Sequence, residues 1–370
     1  MKICFLGDGQ CIHTYNWIQY FAGKNHHIHL ISFTGYGFVP VDNVTVHTIK
    51  PSFPGNIKFF SHIINVWLGP FINAIKIRRL VRKINPDILH AHYLTDYGFV
   101  GYLLHFPVFV ITFWGSDILV DPKNSLYCRI RTKPILNSAK LITGDSKAVM
   151  DECLKYCNHP EKIKIVLWGV DLSFFHEREN VSREKTKITI LCTRDFASVY
   201  NIDTIINSIP FVKEKHPNVT YVLKNRNLNE VNKFRQLANS LNVTEFIEFV
   251  CKIIDPSEFP QFHYNADIFV SVPSSDSGSI SLLEAMACGL PVIVSDIPAN
   301  REWVTDGWNG LIVPVRNHQK LAEAIVYLIE NPDLLKLFGK RNAQIIRERA
   351  DREKHMAYME ELYSQLLEKS

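Results

Sequence analysis

The eight cysteines, at 4, 11, 128, 153, 157, 192, 251 and 288, include no Cys-x-x-Cys pair. A disulfide framework and a zinc knuckle are therefore not expected. Single cysteines inside apolar runs, such as Cys4, Cys192 and Cys251, read as small core residues of a reducing, cytoplasmic compartment. Long apolar runs are also missing. The longest, Leu103 to Trp114, is interrupted by His105 and Pro107 and falls short of the roughly 20 residues that a membrane-spanning helix needs. The opening Met1–Leu6 loses its apolar character at Gly7-Asp8. That is too short for a signal peptide, and it reads as a buried first strand. The chain is expected to be soluble, or at most peripheral on the inner face of a membrane. No segment is low in complexity, so long disorder is not expected. A strong basic field is absent too: the net charge is only +4, and no nucleic-acid motif accompanies it, so no nucleic-acid partner is expected. Gly7-Asp8-Gly9-Gln10-Cys11-Ile12 lacks the third glycine of a dinucleotide fingerprint, which argues against a dehydrogenase. No His, Cys, Asp or Glu cluster has metal-ligand spacing. His90-x-His92 stands on a strand end without nearby cysteines, and no metal or cofactor is expected.

What is present is ample core material, 46% apolar over 370 residues, enough for two domains. Short β-branched and aromatic runs alternate with amphipathic segments, the pattern of parallel sheets with crossover helices. Strands are expected at residues 2–6, 27–32, 44–49, 87–90, 108–113, 140–143 and 164–167, then at 187–192, 219–223, 246–250, 267–272, 291–295 and 310–313. Near-continuous apolar strands imply that helices cover both faces of each sheet. Ile72, Ile75, Ile77 and Leu80 carry helical spacing up to Asn85-Pro86, where proline ends the helix. The two windings divide near Trp168-Gly169-Val170-Asp171. The expected organisation is a Rossmann-like domain over 1–170, a linker over 171–186, a second Rossmann-like domain over 187–350, and a terminal helix over 351–370. The apolar Met356, Met359, Leu362, Leu366 and Leu367 of that helix can cap either domain.

Open parallel sheets bind ligands beyond the carboxyl ends of their strands, near helix N-termini. The most informative such loop is Ser274-Ser275-Asp276-Ser277-Gly278-Ser279-Ile280-Ser281, leading into Leu282-Leu283-Glu284. Its small residues let backbone amides approach an anion at a helix start. A carboxylate at Glu284 can accept two hydrogen bonds from a vicinal diol such as ribose. The alternative on these residues alone is that Asp276 and Ser277 merely cap a helix.

Asp276 and Glu284, followed by Ala-Met-Ala-Cys-Gly-Leu-Pro-Val-Ile-Val-Ser-Asp, resemble the carboxylate-x7-glutamate motif of glycosyltransferase family 4. Those are retaining enzymes of the GT-B fold, two Rossmann-like domains facing each other. The likeness extends through Asn300–Trp303 and Asp306–Val313, and in the first half through His13, Pro86–His92 and Trp114-Gly115-Ser116-Asp117. It implies a sugar transferase, of the hexosyl or N-acetylhexosaminyl class, using a nucleoside-diphosphate donor and a glycan, lipid-linked or envelope-polysaccharide acceptor. It places Glu284 on the ribose, Asp276 on the sugar, and Ser277, Gly278, Ser279, Ile280 and Ser281 with Arg194 on the diphosphate. Gly9, His13, His92 and Trp114 fall on the acceptor side, with Asp276, Glu284, His92 and His13 as the catalytic set. Three departures stand out. Asp276 replaces a glutamate. The family's lysine after Arg194 is absent, with Val199-Tyr200-Asn201 near its place. Trp114 replaces a histidine, leaving that work to His13 or His92. Lys224 can replace the missing lysine, or it is an exposed, solvated side chain. The rival functions are a sugar-nucleotide epimerase and a non-catalytic nucleotide-sugar binder.

Residues 1–180 carry 19 Lys/Arg and 13 Asp/Glu, the remainder 22 and 24. Part of the excess lies in Lys58–Lys83, where an aromatic and aliphatic stretch ends in Arg78, Arg79, Arg82 and Lys83. This segment is a candidate contact with anionic membrane. The competing reading makes Ile63, Trp67, Phe71 and Ile75 core and the basic residues its solvated end.

Overall fold

The computed structural model describes residues 1–50, 60–177, 187–225, 228–251 and 258–369, without the side chains of 60–68 and 228–229. The remaining residues of the expected 171–186 linker, 178–186, lie outside them. All thirteen expected strands form, mostly within two residues of the expected bounds. They are β1 (Lys2–Leu6), β2 (His27–Ser32), β3 (Val44–Thr48), β4 (Ile88–His92), β5 (Phe109–Thr112), β6 (Leu141–Gly144) and β7 (Ile163–Ile165), then β8 (Ile188–Cys192), β9 (Val219–Lys224), β10 (Ile247–Val250), β11 (Ile268–Ser271), β12 (Val292–Ser295) and β13 (Gly310–Val313). Cys251 lies just past β10 rather than inside it.

The strands make two wholly parallel sheets, ordered β3-β2-β1-β4-β5-β6-β7 and β10-β9-β8-β11-β12-β13. Ile3, Cys4, Phe5 and Leu6 of β1 and Ile268, Phe269, Val270 and Ser271 of β11 are all buried. This is the consequence of apolar strands covered on both faces. Two compact units result, Met1–Leu167 with Met356–Ser370, and Trp168–His355.

In each sheet the strand order reverses once, between β1 and β4 in the first unit and between β8 and β11 in the second. At such a reversal the loops leave in opposite directions and open a crevice, the usual ligand position of this architecture. The loop after β1 carries Gly9 and the helix Ile12–Gly23 that follows it carries His13, His92 closes β4, and the loop after β5 carries Trp114. Those after β8 and β11 carry Arg194 and Asp276–Ser279.

The long helix Phe60–Ile84 buries Ala74, Ile77, Val81 and Ile84, spaced by three and four residues as one helical face. It stops where Asn85 turns to φ 49° before Pro86, a left-handed exit that proline makes final. Phe71 and Ile75 are 46% and 59% exposed, which overturns their assignment to the core. Arg78 is not a solvated end residue either, since its Nη2 donates to the Leu103 carbonyl at 2.5 Å. The terminal helix Arg352–Glu368 buries Met356, Met359, Leu362 and Tyr363. The hydroxyl of Tyr363 meets His90 Nδ1, which anchors this helix in the first unit. Leu366 and Leu367 are only half-buried.

Candidate functional site

In the second unit, β11 ends and the loop Val272–Ser279 leads into the helix Ile280–Ala287. Ser279 caps this helix, its Oγ accepting the Leu282 N–H at 3.4 Å. Arg194, two residues past β8, reaches across the strand reversal. Its Nη1 donates to Ser279 Oγ and, at 3.0 Å, to Ser281 Oγ. Its Nη2 lies 2.8 Å from Asp276 Oδ2, off the axis of an aligned hydrogen bond. Asp276 Oδ1 accepts the Ser277 N–H at 3.0 Å. Neither reading of the sequence foresaw this ion pair.

The guanidinium is carried by Tyr200, whose ring centroid lies 4.2 Å from Arg194 Cζ. Asn201, in the left-handed conformation at φ 50°, donates from Nδ2 to the Val272 carbonyl at 2.9 Å and to Ser274 Oγ at 2.8 Å. The Ser274 N–H returns a bond to the Val199 carbonyl at 2.8 Å. These bonds fix the Val199-Tyr200-Asn201 turn to the end of β11 and hold the tyrosine ring against Arg194. An aromatic face thus stands where the resemblance calls for a lysine.

Glu284 lies one turn into the helix Ile280–Ala287. Burial pushes its carboxyl up to about 8, and the positive charges of Lys224 and Arg194 oppose that shift. Lys224, the last residue of β9, is buried at 8% exposure, which corrects the expectation of a solvated side chain. Its Nζ sits 4.5 Å from the Phe259 ring centroid, a placement that aromatic faces favour for a cation. This end of the second sheet thus gathers two cations, Arg194 and Lys224, with two carboxyl groups, Asp276 and Glu284. Beside Lys224, His263 is 1% exposed and boxed by Phe175, Phe259 and Phe269. Burial lowers it to about 4, so it stays neutral.

The first unit gathers its candidates on one aromatic cluster. His13 stacks on Trp114 with centroids 5.2 Å apart, and His92 meets the same indole edge-on at 5.1 Å. His92 is 1% exposed. Its Nδ1 pairs with Thr14 Oγ1 at 3.2 Å, and burial, with the charge of His13 adding to it, holds its pKa down at about 3. The ring is neutral and sits beneath Trp114. The Gly9 N–H donates to Ser32 Oγ at 3.0 Å, and a Cβ there would meet the Gly35 carbonyl oxygen at 2.9 Å. The loop after β1 is therefore packed against the loop after β2.

Asp117, quoted in the sequence only as part of a motif, organises this cluster. Its Oδ1 accepts the Trp114 and Gly115 N–H groups, both at 3.1 Å, and its Oδ2 accepts that of Leu94 at 2.7 Å. Gly115 at φ 112° makes the turn that aims both amides inward, a conformation open to glycine. The spacing Gly-x-Asp is the signal that could have singled out Asp117. Tyr200 and Phe259 carry no comparable signal, because a ring that seats a cation looks like any core aromatic. Among the described residues, no group of three or more His, Cys, Asp or Glu is placed to hold a metal ion, and no helix is long and apolar enough to cross a membrane.

Comparison with known proteins agrees with this layout. The model of the glycosyl transferases group 1 family matches residues 173–345, and that of the glycosyl transferase 4-like family matches residues 2–146. An uncharacterised glycosyltransferase of Methanocaldococcus jannaschii is 27% identical over 329 residues, which cover 87% of this chain and 85% of the relative. Among solved structures, sucrose-phosphate synthase of Thermosynechococcus elongatus superposes with a TM-score of 0.83 at 17% identity, over 100% of both chains. The Anabaena protein HepE, solved with UDP-glucose, gives 0.79 at 17% identity over 99% of this chain and 100% of its own. Both show the GT-B fold for this chain.

Proposed function

We propose, from the premise that this chain belongs to the family 4 glycosyltransferases, that it moves a hexosyl or N-acetylhexosaminyl group from a nucleoside diphosphate to an acceptor hydroxyl with retention at the anomeric carbon. The observation that carries this reading is Arg194 at the helix cap formed by Ser279, one turn from Glu284, at the strand reversal of the second unit. A permanently charged fork, a helix N-terminus and small-residue amides suit a diphosphate. In this reading Glu284 accepts from the ribose diol, and Asp276 from the sugar hydroxyls.

The chemistry follows from these charges. The bond between the anomeric carbon and the diphosphate oxygen ionises, and its electron pair leaves with the diphosphate. Arg194, Lys224 and the amides of Ser279–Ser281 stabilise that developing charge, the larger share of such catalysis. The acceptor oxygen bonds to the same face of the carbon, and its proton passes to the departing phosphate oxygen. The protein's other contribution is positioning. Positive charge comes from side chains and amides, so the reading assigns no metal.

His13, His92 and Trp114 are assigned to the acceptor. His92, neutral and buried, serves as a wall and not as a proton donor. For the acceptor we favour a glycan or a lipid-linked glycan, reached at an anionic membrane surface through the helix Phe60–Ile84. That helix has five basic residues and no acid. The test is incubation with a panel of UDP-, GDP- and ADP-sugars and lipid or glycan acceptors, with products read by mass and by the proton coupling at the anomeric carbon. A product heavier than the acceptor by one sugar, with the donor's anomeric configuration, is expected. Isomerised donor without transfer would make the protein an epimerase. Bound nucleotide without any turnover would make it a binder.

A further inference from the structure

We propose that Asp276 is an internal stand-in for the donor's diphosphate. In this view donor binding exchanges one partner of Arg194 for another and releases the Asp276 carboxylate to the sugar. The proposal rests on the donor-site reading above and adds to it a competition between a protein carboxylate and the ligand.

Three observations lead there. Both terminal nitrogens of Arg194 are engaged by the protein, Nη1 by Ser279 and Ser281 and Nη2 by Asp276 at 2.8 Å. The side chains of the pair are 10% and 13% exposed, so water does little of this work. Second, Nη1 contacts the hydroxyl that caps the helix Ile280–Ala287. The N-terminal end of a helix carries partial positive charge, and a guanidinium placed there calls for an anion beside it. Asp276 is the carboxylate in contact with it. Third, the Asp276 contact is electrostatic and not an aligned hydrogen bond: Oδ2 is shielded from solvent and accepts no N–H at good geometry, whereas Oδ1 is fixed by the Ser277 amide. Such a contact is readily replaced by a phosphate that accepts the N–H groups squarely.

The exchange has a consequence for selectivity. When a bare nucleoside diphosphate takes Arg194, Asp276 is left beside phosphate oxygens with no new partner. When a sugar nucleotide binds, the sugar hydroxyls donate to the released carboxylate. Asp276 thus penalises the leaving product more than the substrate, which favours release after transfer.

Calorimetric titration of UDP, with GDP and ADP in parallel, against the full-length wild type, Asp276→Asn and Asp276→Ser tests this. Melting curves confirm that each variant folds, and the serine variant stands in if the asparagine one does not. The expected result is bare diphosphate bound about tenfold more tightly by the variants, with a smaller preference for the sugar nucleotide. Affinity for bare diphosphate that is unchanged or weakened overturns the proposal. A wild type that binds a diphosphate alongside variants that bind it equally well overturns the exchange while leaving the donor site in place. A wild type that binds none of the three overturns both.

Discussion

At Glu284 the surroundings oppose the charge that nucleotide binding needs. Its carboxyl is raised to about 8 from an ordinary 4.5. A raised acid stabilises the fold in its protonated form. That contribution is full below about pH 4.5 and is lost as pH rises through about 8. The melting temperature of the ligand-free protein, relative to Glu284→Gln, should therefore fall between pH 5 and pH 9. Ribose hydroxyls donate to the ionised carboxylate, so nucleotide affinity should run the other way, rising up to about pH 8 in the wild type and staying level in Glu284→Gln. A parallel pH dependence in both proteins would place the proton elsewhere. Arg194→Lys keeps the charge but loses the planar fork and its seat on Tyr200. Turnover should then drop at least tenfold, roughly the value of one charged hydrogen bond, while the melting temperature changes little. A large melting shift with full activity in the folded fraction would make Arg194 a structural strut.

At the scale of elements, the helix that carries Glu284 is held from behind. The helix Pro332–Arg349 brings Gly339 against the turn at Gly289, where an added Cβ would lie 2.0 Å from the Gly289 carbonyl oxygen. The obstacle is backbone, so it cannot swing aside. Gly339→Ala should cost about 1–3 kcal/mol, a melting shift of roughly 3–10 °C, and should weaken nucleotide binding by displacing the end of Ile280–Ala287. Stability and affinity both at wild-type levels would show that the turn gives way without effect.

The elements also show how much was legible in the sequence. All thirteen strands could be read because their apolar runs are short, β-branched and bounded by turn residues. The loop Asp276–Ser279 could be read because small residues follow a buried strand. The facing of side chains was less legible. Helical spacing relates Phe71 and Ile75 to the buried Ala74 and Ile77 equally well, and only the packed helix shows that the first two point outward. Lys224 looked solvated because its charge is visible in the sequence while the Phe259 ring that seats it is 35 residues away.

For the molecule as a whole, the first unit's surplus of basic residues coincides with exposed apolar surface. Phe71 and Ile75 project from the helix Phe60–Ile84, and Leu126 and Ile130, 67% and 58% exposed, from the helix Leu126–Ser138. Both helices pack on Phe99, through the Phe71 ring at 5.8 Å and through Arg131, whose Cζ is 3.7 Å from the Phe99 centroid. Lys76, Arg79, Arg82 and Lys83 stand on the same helix as Phe71 and Ile75. Such a surface suits anionic lipid, where each basic residue contributes about 1 kcal/mol. Sedimentation with anionic but not neutral vesicles, lost at high salt and lost on changing Lys76, Arg79, Arg82 and Lys83 to glutamine, is the expected outcome. No sedimentation with anionic vesicles at low salt would contradict it.

Binding of a donor nucleotide by the second unit through the Glu284 carboxylate is tested most directly by calorimetric titration of a nucleotide-sugar panel against the wild type and Glu284→Ala. At least one nucleotide sugar is expected to bind the wild type, and the variant, melting as the wild type does, to bind it roughly ten- to a hundredfold more weakly, the worth of charged hydrogen bonds to the diol. Equal affinity in a folded variant, or no nucleotide bound by the wild type, would contradict it.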